Sequence, residues 1–183
     1  MTRFNTMGLV NQEPPAAISF FTPGPPAHWP LNYNLAVTNA PSGASLSEQR
    51  IRSAFESADR ELDRYKRYLP RWDGYHGLPF SQEVLCNAAW VLGYSMESFF
   101  DTGIAPQLVT TGPASDGSLD VEFQVAEKRL LMTLYPREQQ VRLCRFEGDA
   151  VLEHEAPLGE QTLDESLGWL NQPSVVQHSL DQD

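Results

Sequence analysis

The chain has 183 residues, 41% of them hydrophobic, with 24 acidic against 13 basic side chains and a net charge of −11. This suits one packed domain with appendages and leaves too little apolar material for two cores. The charge argues against general nucleic-acid binding, whose affinity comes from cations set on phosphates, and no apolar run reaches the roughly 20 residues that a membrane helix needs.

The first fifteen residues hold one arginine and no continuous apolar stretch, so a secretory signal is not expected and a cytoplasmic location is. Cys86 and Cys144 lie in apolar surroundings, which suits free thiols in a reducing compartment better than a disulfide. The charge is also uneven. Residues 1–45 carry only Arg3 and Glu13, residues 46–71 carry seven basic and five acidic side chains, and residues 72–183 carry five basic and eighteen acidic ones. The expected molecule is an acidic body with one basic helix end.

Residues 1–45 contain seven of the fourteen prolines. Proline fixes its own backbone angle and restricts the residue before it, which opposes regular structure. The segment nevertheless holds Phe20, Phe21, Trp29 and Tyr33 among other large apolar residues, and solvated linkers lack these. An irregular arm is expected, lying on its own domain or on another chain.

From Ser47 to Leu69, the residues Ile51, Phe55, Ala58, Leu62, Tyr65 and Leu69 recur at alternating spacings of four and three, one stripe of an amphipathic helix. Ser45 or Ser47 suits its cap, and Pro70 ends it. A second helix is expected from Ser81 to Phe100, apolar over most of its girth, with Ser81 as cap and Gly103 closing it. From Gln107 the period becomes two. Strands are predicted at 107–111, 119–125, 130–135, 140–146 and 150–155, separated by turns such as Ser115-Asp116-Gly117-Ser118 and Glu147-Gly148-Asp149. A short helix, 162–170, follows, with Thr162 and Glu165 spaced as a capping box. The fold class expected is α+β: two helices, an antiparallel meander of four or five strands, and a short last helix. The domain is placed at 46–171, with a tail at 172–183.

Few residues are grouped for chemistry. His28, His76, His154 and His178 are scattered, whereas metal ligands must converge. In Glu153-His154-Glu155 a strand would put the histidine on the face opposite the two glutamates. No phosphate-binding glycine loop and no nucleophile elbow occurs, and no cofactor is expected. Asp73 and His76 are spaced for an acid–base pair if their loop folds back. Asp73-Gly74 is first of all a turn, with Asp73 capping loop amides while Trp72 and Tyr75 pin the loop to the core. Arg60, Arg64, Lys66, Arg67 and Arg71, interleaved with Tyr65, Tyr68 and Trp72, read as a helix end neutralised by Asp59, Glu61 and Asp63, rather than as a base-stacking surface.

The run Arg71-Trp72-Asp73-Gly74-Tyr75-His76-Gly77-Leu78-Pro79-Phe80-Ser81, with a later Asp-Gly turn leading into Leu119-Asp120-Val121-Glu122-Phe123, resembles a group of small bacterial proteins. Their shared feature is a WDGYGA-like loop followed by proline and serine. The likeness spans about residues 60–170. His76 stands where the group tends to have glycine, and the proline-rich arm is outside the pattern. Some members sit on mobile elements or beside toxin genes. The resemblance implies an architecture and a genetic neighbourhood, and carries over no catalytic residues.

The function expected is non-enzymatic: a binding or inhibitory protein, antitoxin-like, immunity-like or a phage counter-defence factor, that masks a basic protein partner. Its contact residues would be Phe20, Phe21, Trp29 and Tyr33 on the arm and Asp120, Glu122, Glu153 and Glu155 on an acidic sheet edge. No membrane and no direct nucleic-acid contact is expected. The alternatives are a structural module of a phage or mobile element that oligomerises through the arm, and an enzyme with a site around Asp73 and His76.

Overall fold

The computed structural model describes residues 45–173. The expectations for the arm and its aromatic residues, and for the tail beyond residue 173, lie outside the described residues. The elements run α1 (Leu46–Tyr65), α2 (Gln82–Thr102), β1 (Leu108–Pro113), β2 (Leu119–Val125), β3 (Lys128–Leu134), β4 (Gln140–Glu147), β5 (Ala150–Pro157) and α3 (Glu160–Asn171). The strands form one antiparallel sheet in chain order, β1-β2-β3-β4-β5. This is the α+β architecture expected: helix, helix, five-stranded meander, helix.

Local chemistry explains each boundary. Ser45 caps α1 through a full capping box: its hydroxyl accepts from Glu48 N and its own amide donates to the Glu48 carboxylate. Helix α1 stops four residues short of the expected Leu69. Arg67 N and Tyr68 N turn back onto Arg64 O and Tyr65 O three residues behind, and Leu69, before Pro70, is 75% exposed. Ser81 caps α2, and Gly103 ends it at φ +68°, the left-handed position glycine occupies without strain. The expected cap on α3 is corrected. The helix begins at Glu160 after Gly159, and the Thr162 hydroxyl donates to Pro157 O instead of closing a capping box with Glu165.

All three helices lie on one face of the sheet, α1 over β1, with α2 and α3 over β2 and β3. The alternation predicted for β2 puts Leu119, Val121 and Phe123 inside. They join Leu130, Met132 and Leu134 of β3 and Val141 and Leu143 of β4 beneath the helices. Phe55, Phe99 and Phe123 meet at the centre with ring centroids 5.9–6.2 Å apart, the tilted arrangement aromatic rings favour. Strand β5 is different. Residues 150–155 are exposed whichever face they occupy, so the helical layer ends before the last strand.

Candidate functional site

The register places the four acidic residues singled out in the sequence. Asp120, Thr133, Arg142 and Glu155 form one row across the sheet, and Glu122, Leu131, Cys144 and Glu153 form the next. All four carboxylates therefore share the face away from the helices. They are not one edge, however. Asp120 and Glu122 stand on β2, an interior strand, and Glu153 and Glu155 on β5, three strand spacings or about 14 Å away.

The two pairs also differ in chemistry. Asp120 is half-buried and accepts a 2.6 Å hydrogen bond from the Thr133 hydroxyl, and Glu122 lies 3.6 Å from the Arg129 guanidinium. These carboxylates are occupied by their neighbours in the sheet. Glu153 and Glu155 share a single cation: Arg142 reaches them at 3.4 and 3.8 Å while both stay more than half exposed. One positive charge between two carboxylates leaves β5 with a net negative charge facing solvent. His154 pairs with Leu143 and takes the opposite face, as the alternation predicts. Cys144 lies between these groups, and burial, with Glu153 nearby, raises its thiol pKa, a setting that disfavours the reactive thiolate.

The loop between α1 and α2 is braced by its own side chains. Asp73 Oδ1 accepts from the amides of Tyr75 and Gly77, at 2.9 and 2.8 Å. These bonds hold its carboxyl below the ordinary carboxylate pKa. Gly77 sits so close that a Cβ there would meet Trp72 Nε1 at 2.7 Å and Asp73 Cγ at 2.9 Å. The Trp72 indole stacks on Tyr68 and donates to Leu78 O, and Phe80 and Tyr65 complete the aromatic cluster. Tyr75 does not share this role. It is 77% exposed, so Trp72 alone of the two expected anchors pins the loop. The loop then docks on the β1–β2 hairpin through Leu78 N to Ser115 O. There Asp116 accepts from both the hydroxyl and the amide of Ser118.

Sequence reading missed one feature of α3. Lys128, 4% exposed, sends its ammonium to Trp169 O at 3.1 Å and over the Trp169 ring, while Arg145 donates to the Ser166 hydroxyl. Two cations of the sheet thus meet the C-terminal half of a helix, where the backbone dipole favours them. The signal was partial: Arg145 shares the inward face of the predicted strand 140–146 with Val141 and Leu143, whereas Lys128 lies before the predicted start of β3 at residue 130.

Among the described residues, no three His, Cys, Asp or Glu side chains approach closely enough to hold a metal ion, and no helix is long and apolar enough to cross a membrane. Comparison with protein-family models, with curated proteins and with solved structures gives no match to this chain.

Proposed function

We propose that this protein is a non-enzymatic binding protein that masks a basic protein partner in the cytoplasm, in the manner of an antitoxin, an immunity protein or a counter-defence factor. The observation that carries the reading is the pair Glu153 and Glu155, exposed together on an uncovered strand with one arginine between them. Acidic surfaces of this kind steer cationic partners into register and raise the rate of encounter. The net charge of −11 acts in the same direction over longer range. The engagement of Asp73 by loop amides adds support, since a carboxylate committed to bracing a turn is a poor general base. In this reading Phe20, Phe21, Trp29 and Tyr33 form a second contact, as aromatic anchors on the partner, while Asp120 and Glu122 contribute field rather than direct contact.

The test is affinity capture from the native host with the full chain, run beside the charge-reversed variant Glu153→Lys/Glu155→Lys. The expected result is a basic protein retained by the first and lost by the second. Recovery of the chain alone, sedimenting as a compact monomer, would overturn the proposal.

A further inference from the structure

We infer that β5 is a docking edge for an extended strand with lysine or arginine at alternate positions, so that the partner adds a sixth strand to the sheet. This rests on the binding reading above and names how the partner is held.

The hydrogen-bond phase of the β4–β5 ladder identifies the free groups. Leu158 N donates to Gln139 O. This fixes the bonded pairs as every second one back along the register, Ala156 with Val141, His154 with Leu143, Leu152 with Arg145 and Ala150 with Glu147. The N–H and C=O groups of Val151, Glu153 and Glu155 therefore point away from β4. Among the described residues no other strand lies on that side. The edge is regular, with unbroken register from Ala150 to Pro157. It has no bulge, no lysine and no proline before its last residue, and of the devices that normally blunt an edge it carries only charge, on Glu153 and Glu155. Val151 on one face and Leu152 on the other are 62% and 59% exposed.

Charge selects the occupant. In a symmetric antiparallel pairing with a second copy, centring on Glu153 sets it against itself, and centring on His154 sets Glu153 against Glu155. Centring on Leu152 brings Glu155 against Asp149. Like charges directly opposite destabilise a strand pair, so a second copy is disfavoured in each register. The chain's own first 44 residues hold one arginine, Arg3, and offer no alternating cations. A foreign strand with cations on one face and apolar side chains on the other meets both requirements. The cations lie beside Glu153 and Glu155, the apolar residues beside Leu152, and the backbone pairs with three free residues of β5. This is strand addition to a sheet edge, in which the main chain supplies affinity and alternate side chains supply specificity.

The test uses the full-length protein and an eight-residue peptide alternating valine and lysine, with a backbone N-methylated version that keeps the charge and loses the donors. Calorimetry reads affinity, and amide hydrogen exchange by NMR reads the edge. Expected are binding of the parent peptide, at least tenfold slower exchange at Val151, Glu153 and Glu155 on saturation, and at least tenfold weaker binding of the methylated peptide. Glu153→Lys/Glu155→Lys should transfer preference to a valine–glutamate peptide. Equal binding of both lysine peptides would overturn strand addition while leaving an acidic docking face intact. Failure of both to bind would overturn the acidic-face reading as well. Protection of the three amides in the protein alone would overturn the inference by showing that the edge is already taken.

Discussion

The two edges of the sheet are built from similar material and finished in opposite ways. On β1, Ala114 N donates to Ser118 O, which puts the outward-pointing backbone groups on Val109, Thr111 and Pro113. Thr111 O accepts the Tyr65 hydroxyl at 2.8 Å, the Glu61 carboxylate takes the hydroxyls of Thr110 and Thr111, and Pro113 has no N–H to offer. Helix α1 covers the middle of that edge with its own side chains. On β5 the equivalent groups meet no helix among the described residues. A protein that needed only to stay monomeric would gain from finishing both edges alike. The proposed strand addition uses this asymmetry.

Removing the closure should produce the largest effect. Tyr65→Ala deletes a 5%-exposed ring packed against Tyr68 and Phe80 and should lower unfolding free energy by about 3–4 kcal/mol in a denaturant titration. A matched pair of truncations then contrasts the edges at constant chemistry. Val109→Ala, at a 4%-exposed site on β1, should cost about 2 kcal/mol. Val151→Ala on β5 should stay within about 0.5 kcal/mol of the parent, as exposed positions do. Comparable losses at the two sites would mean that β5 is covered and would remove the contrast.

The contrast was only partly legible in the chain. Alternation in Leu119–Val125 and the turns at Asp116-Gly117 and Gly148-Asp149 specify strands, and a meander follows because each connection is too short for a crossover. The stripe from Ile51 to Tyr65 specifies a helix, but its end was misplaced. Leu69 continues the spacing, but the helix tightens into three-residue turns after Tyr65, and Pro70 restricts the backbone of Leu69 itself. The candidate site was legible in composition, since Glu153 and Glu155 flank a histidine in a strand pattern. Its geometry was not. Asp120 and Glu122 have the same local signature as the β5 pair, and nothing local tells an interior strand from an edge. Strand order and the width of the helical layer, both long-range properties, decide which carboxylates are neutralised and which stay open. Tyr75 fails for a related reason, since Trp72 and Phe80 are the loop side chains that pack on Tyr65 and Tyr68, and Tyr75 is left 77% exposed.

A smaller substitution isolates the plug itself. Tyr65→Phe keeps the ring and removes only the hydroxyl on Thr111 O, and should cost about 1 kcal/mol. Exchange should quicken at the β1 amides and stay unchanged along β5.

Acid should separate the edges at least cost. Asp73 and Asp116 are both held below the ordinary carboxylate value by donors in their turns, and both brace the loop and hairpin at the end of β1. A lowered folded pKa means that the stabilisation is fully present above the unfolded value, about 3.9. It is then lost as pH falls through the folded value. Amide exchange followed from pH 5 downwards should therefore show residues 73–78 and 114–118 loosening before the centre of the sheet. Asp73→Asn, which loses the charge that strengthens those bonds, should already show that loosened loop at pH 5 and a flatter acid response below it. If instead β5 opens first, Asp73 and Asp116 do not set the acid response, and the bracing assigned to the loop and hairpin fails.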